Sequence, residues 1–85
     1  MNWDVKIAKR VLKEIKRFPQ KDANRLLFVL EEMSKNPYQG DIEKIKGEKN
    51  IWRRRAGSYR ILYEAFPAQK FVWIFDIKRR TSATY

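Results

Sequence analysis

The chain has 85 residues, 20 Lys+Arg against 10 Asp+Glu, a formal net charge of +10, and neither cysteine nor histidine. Disulfides and thiolate metal sites are therefore excluded, and with them the imidazole general base and the commonest metal ligand. The field of so basic a chain favours a polyanionic partner: nucleic acid, an anionic membrane or an acidic protein.

The length predicts one small domain over residues 1–85, burying roughly 60–65% of its unfolded surface. Three Trp, four Tyr and five Phe help to supply its core. No stretch reads as a signal peptide or a membrane span, so a soluble cytoplasmic protein without membrane attachment is expected. Residues 1–40 hold nine basic and five acidic side chains, and residues 41–85 hold eleven and five. The second half differs in arrangement, with its cations in tight blocks free of acid.

Trp3, Val5 and Ile7 alternate with Asp4 and Lys6, which predicts a short half-buried strand. From Ala8 the period becomes helical: Ala8, Val11, Leu12, Ile15 and Phe18 form one stripe, with charged residues outside. Pro19 closes that helix. A second begins near Gln20 to Asp22, where Asp22 is placed to cap free backbone N–H groups. Its stripe is Ala23, Leu26, Leu27, Leu30 and Met33, and it stops before Asn36-Pro37. Phe28 and Val29 lie off the stripe and suit either a wide core contact or the landing place of a partner.

Residues 36–50 read as a polar connector anchored by Ile42 and Ile45, with Lys44, Lys46 and Lys49 close before the next strand. Trp52-Arg53-Arg54-Arg55-Ala56-Gly57-Ser58-Tyr59-Arg60-Ile61-Leu62-Tyr63 then predicts a hairpin turning at Gly57-Ser58. Alternation puts Arg53, Arg55 and Arg60 on one face and Trp52, Arg54, Tyr59, Ile61 and Tyr63 on the other. Glu64 falls on the arginine face, where it is expected to pair with Arg53 or Arg55. A turn at Phe66-Pro67-Ala68-Gln69 leads to Phe71-Val72-Trp73-Ile74-Phe75, an apolar run typical of a strand covered on both faces. Tyr59, Tyr63, Trp52 and Trp73 read as core. The order β-α-α-β-β-β predicts an α+β domain, an antiparallel sheet with a two-helix hairpin on one face.

In that order of elements, in Lys44-Ile45-Lys46-Gly47, in the Trp52–Tyr63 segment and in the Lys78-Arg79-Arg80 block leading to Tyr85, the chain resembles the RelE/ParE superfamily of toxins from type II toxin–antitoxin pairs. The resemblance runs nearly end to end and favours the RelE-like branch, whose members are ribosome-dependent endoribonucleases cutting mRNA in the decoding site. The ParE branch shares the fold and poisons DNA gyrase. A non-catalytic nucleic-acid-binding relative is the third reading. By motif position the resemblance makes Arg53, Arg60, Arg79 and Tyr85 the catalytic candidates, Arg53 standing for a lysine of that branch. Ile51 stands where some ribonuclease members carry another basic residue, and Arg54 where an apolar residue is usual. The resemblance also implies a hetero-oligomer with a cognate antitoxin, acidic in its toxin-binding segment.

RNA cleavage by the substrate's own 2′-hydroxyl requires removal of that proton, stabilisation of a phosphorane-like transition state and protonation of the leaving 5′-oxygen. Clustered Arg and Lys can stabilise the developing charge, Arg bidentately. Arg53, Arg60 and Arg79 take that role in this reading. Lys46, Lys49, Arg55, Lys78 and Arg80 hold the RNA backbone. Surrounding cations favour phenolate, so Tyr85 reads as a proton acceptor or as a stacking partner for a base. No cofactor or metal is expected.

Overall fold

The computed structural model describes residues 2–79. The elements follow the order β1 (Asp4–Ile7), α1 (Lys9–Arg17), α2 (Gln20–Lys35), β2 (Ile42–Lys44), β3 (Ile51–Ala56), β4 (Tyr59–Phe66) and β5 (Phe71–Arg79). The five strands form one sheet in the order β1-β5-β4-β3-β2. The α+β class and the helix pair on one face hold. Two features go beyond the sequence expectation. β1 pairs parallel with β5, making the sheet mixed, and the connector contributes β2 as an antiparallel edge strand against β3.

The helices and the sheet share one core. Val11 and Ile15 of α1 and Leu26, Val29, Leu30 and Met33 of α2 close on Tyr59, Ile61, Tyr63, Val72, Ile74 and Ile77. At about 100° per residue, Leu26, Val29, Leu30 and Met33 fall within one arc of α2, and Leu27 lies outside it. Leu26 and Val29 are buried, whereas Leu27 is 55% and Phe28 61% exposed. Val29 therefore belongs to the stripe and Leu27 does not. On α1, Leu12 likewise lies outside the core at 42% exposure.

Asp22 does not cap α2. It lies in the first turn and accepts a hydrogen bond from the Tyr59 hydroxyl at 2.8 Å, tying the helix to β4. Pro19 holds the N-cap position, where its missing N–H costs nothing.

Arg54 is the buried cation of the core side. Its guanidinium donates to the Gln39 carbonyl at 3.1 Å and to Glu32 Oε1 at 2.9 Å, joining β3 to α2 and to the loop before β2. Space for it comes from Gly40, which has φ 97° and whose Cβ, were there one, would stand 2.6 Å from Arg54 Cζ. Gly40→Ala should therefore lower stability by about 1–3 kcal/mol, from the left-handed backbone and the clash together. The urea midpoint measures this, and an unchanged midpoint would mean that the guanidinium is not lodged there.

Candidate nucleic-acid interface

Both helices cover the same side of the sheet, so the opposite side of β3, β4 and β5 is free of helix. Gly57, with φ 62°, opens the two-residue turn that joins β3 to β4. The resulting register puts Arg55 opposite Arg60, and β4 pairs with β5 so that Arg60 also faces Lys78. Three cations thus stand side by side across three strands, about 4.7–4.9 Å per strand apart along the sheet. Like charges directly opposite one another oppose folding. Two residue pairs further along, Arg53 stands opposite Leu62 on the same face.

Two of these arginines are held by acids from the β2 segment. Arg53 pairs with Glu43, and Arg55 Nε donates to Asp41 Oδ2 at 3.0 Å. Glu64 is neither partner, contrary to expectation; it stands opposite Ile51 and Trp73. Asp41 and Glu43 flank Ile42 at alternate positions, which puts both acids on one side, but so short a segment does not stand out from a polar loop in the sequence. Arg60 forms no ion pair among the described residues. With Asp41, Ile42, Glu43, Arg53 and Arg55 it lines an open groove of about 250 Å³.

The other candidates divide. Lys78 joins the row. Arg79, one residue on, is registered opposite the core residue Tyr59, its guanidinium carbon 5.8 Å from that ring, so it turns to the helix side of the sheet and is not part of the row, contrary to expectation. The cause is a bulge between Leu62 and Tyr63, which pairs Asp76 with Leu62 and Ile74 with Tyr63 and so resets the alternation of β5. Lys46 and Lys49 sit in the loop between β2 and β3, lining a shallow depression away from the groove. Arg54 is on the core side. Arg80 and Tyr85 lie outside the described residues.

The tyrosines under the row are structural. Tyr59 is pushed above the usual phenol range by burial and by its hydrogen bond to Asp22. Tyr63, fully buried with its hydroxyl donating to the Pro37 carbonyl at 2.5 Å, is pushed up chiefly by burial. An unfolded chain releases these protons near pH ~10 while the native chain retains them, so their stabilisation is complete below that pH and declines above it. Tyrosinate absorbance should therefore show two phenols ionising at higher pH in the native chain than in the unfolded one, and the Tyr63→Phe variant should remove one of them. Equal titration of Tyr59 and Tyr63 in the native and unfolded chains would contradict this.

Residues 5–83 match the family described as ParE toxin of type II toxin–antitoxin system, parDE. The chain belongs to this toxin family. It is 31% identical over 86 residues to a Methanocaldococcus jannaschii protein named RelE1, covering 98% of the toxin and 96% of that relative. Toxin RelE3 of the same organism is 39% identical over 61 residues, 67% of this chain and 69% of RelE3. Among solved structures, the archaeal RelE–RelB complex from Pyrococcus horikoshii contains a chain that superposes with a TM-score of 0.85 at 28% identity, covering 98% of the toxin and 100% of that chain. The isolated E. coli RelE toxin shares the fold at a TM-score of 0.81 and 17% identity, covering 95% of this chain and 87% of that one. These likenesses make it a RelE-like toxin of a type II toxin–antitoxin system.

Proposed function

We propose that the toxin is a ribosome-dependent endoribonuclease that cuts mRNA in the decoding site and so blocks translation. The observation that carries this reading is the row Arg55–Arg60–Lys78 on the helix-free face, with Arg53 beside it and Arg60 unpaired among the described residues. A phosphate placed over Arg60 meets charge from both neighbouring strands. The RNA 2′-oxygen attacks the adjacent phosphorus and releases the 5′-oxygen, leaving a 2′,3′-cyclic phosphate. The row supports the charge that develops on the non-bridging oxygens. Arg53 and Arg60 are the principal groups, and Tyr85 is the candidate proton acceptor; Arg79, turned to the helix side beside Tyr59, has no part in the row. Lys46, Lys49, Arg55, Lys78 and Arg80 hold the backbone.

The partner expected off the ribosome is a cognate antitoxin with an acidic toxin-binding segment. The net charge of +10 suits such a segment. Exposed Leu12, Leu27 and Phe28 on the helix side offer apolar anchors, and Phe28 walls a cleft of about 360 Å³ beside Glu32 and Arg54.

The test is a cell-free translation reaction with added toxin, followed by primer extension on the mRNA and run with and without ribosomes. Codon-spaced cuts that appear only on translating ribosomes are expected. Intact mRNA together with inhibited supercoiling in a parallel gyrase assay would overturn the reading in favour of ParE-like poisoning.

A further inference from the structure

The helix-free face changes character along its strands. At the hairpin end it is cationic. Moving along β4 from Arg60 through Leu62 and Glu64 to Phe66, a distance of about 20 Å at the usual rise per residue, it becomes aromatic. Phe66 and Phe71 stand opposite each other with their rings stacked, centroids 5.2 Å apart and planes 24° apart. Trp73, the next residue of β5 on this face, is flanked by Glu64 on β4 and Lys6 on β1. All three rings are half-buried, and neither helix covers them. The sequence expectation of a strand buried on both faces is corrected here: Val72 and Ile74 enter the core, whereas Phe71 and Trp73 do not.

Cations border this aromatic end as well. Lys6 is exposed beside Trp73. The loop carrying Lys46 and Lys49 reaches the same end, because β3 starts at Ile51 opposite Glu64 and the Ala65 N–H donates to the Asn50 carbonyl at 2.9 Å. Half-exposed rings with charge on both flanks are what an unpaired nucleic-acid strand requires: faces for its bases and cations for its phosphates. An ordinary solvated sheet face would carry polar residues at these three positions.

We propose that Trp73 and the Phe66–Phe71 pair form a stacking site for bases of single-stranded RNA, continuous with the arginine row. The RNA backbone runs from Arg60 towards Lys6, Lys46 and Lys49. This rests on the RNA reading of the arginine row and adds where the neighbouring bases lie. Glu64, between the two ends, repels phosphate, so the strand crosses that point with its bases and not its phosphates against the sheet. Stacking is tolerant of base identity, so the site lengthens the footprint without selecting a sequence.

The test is anisotropy binding of a fluorescent single-stranded RNA oligonucleotide across a range of salt. It compares wild type, Trp73→Leu, Phe71→Leu and Arg60→Ala, and adds an oligonucleotide with consecutive abasic sites for the wild type. Trp73→Leu, and separately the abasic strand, should weaken binding roughly 5- to 100-fold without changing the salt slope. Phe71→Leu, which keeps an apolar side chain, should weaken it in the same sense. Arg60→Ala should instead reduce the slope by about one phosphate contact. If the abasic strand and both ring variants bind as tightly as the intact pair while Arg60→Ala still weakens binding, the stacking site is overturned and the face is left to a protein partner. Wild type that leaves the oligonucleotide unbound at low salt also removes the stacking site. Cleavage of ribosome-bound mRNA tests the functional reading separately.

Discussion

Replacing Arg60 by alanine should slow cleavage of ribosome-bound mRNA by about 10²–10³-fold while leaving ribosome association largely intact. The size follows from its position. Arg53 and Arg55 are each engaged by an acid of the β2 segment, and a surface ion pair of that kind contributes little to stability but occupies the cation. Arg60 stands between Arg55 and Lys78 with no such partner among the described residues. The charge of its neighbours adds to its own at the point where a phosphate would sit. Arg60→Lys keeps the charge and loses the fork, so partial recovery is expected, smaller than electrostatics alone would give. Single-turnover cleavage with saturating ribosomes measures both variants. An unchanged rate in Arg60→Ala would remove the row from the chemistry.

The largest stability effect should come from Leu26→Ala, and its neighbour provides the control. Leu26 is fully buried between α2 and the sheet, whereas Leu27 is 55% exposed. Truncating Leu26 removes its transfer free energy and leaves a cavity among Val29, Leu30, Ile61 and the other core residues. The expected loss is about 2–5 kcal/mol. In a domain of this size each kcal/mol moves Tm by roughly 4–8 °C, so the variant should melt far below wild type. Leu27→Ala, the same chemical change one residue on, should stay within about 0.5 kcal/mol. If Leu27 anchors the antitoxin, that variant should lose affinity for the partner at unchanged Tm. Equal losses of Tm in the two variants would place the α2 stripe elsewhere.

What could be read in advance depended on how local the determinant was. The β3–β4 hairpin was legible because Gly57 and strict alternation specify turn and face within a dozen residues, and Arg53, Arg55 and Arg60 share a face as expected. β2 was missed because three residues, Ile42–Lys44, are too few for a period to stand out from a polar loop. The parallel pairing of β1 with β5 depends on segments more than sixty residues apart and leaves no local mark. Lys78 and not Arg79 stands beside Arg60 because a bulge shifts the alternation of β5, and nothing in its apolar run announces where. Asp22 resembles a cap by position, but its carboxylate is taken by Tyr59, a partner that exists only after the helix docks. Arg54 shows the converse. A charged residue at an apolar-patterned position is accommodated because Glu32, the Gln39 carbonyl and the missing side chain of Gly40 converge on it.

The measurement that bears most directly on the chemistry uses mRNA carrying a single 2′-deoxynucleotide immediately 5′ of a mapped cut, presented to the toxin on translating ribosomes. If the arginine row stabilises attack by the RNA's own 2′-oxygen, cutting at that position should vanish while neighbouring codons are still cut. Undiminished cutting at the deoxy position would show that the nucleophile comes from elsewhere, and the role assigned to Arg53 and Arg60 would fall with it.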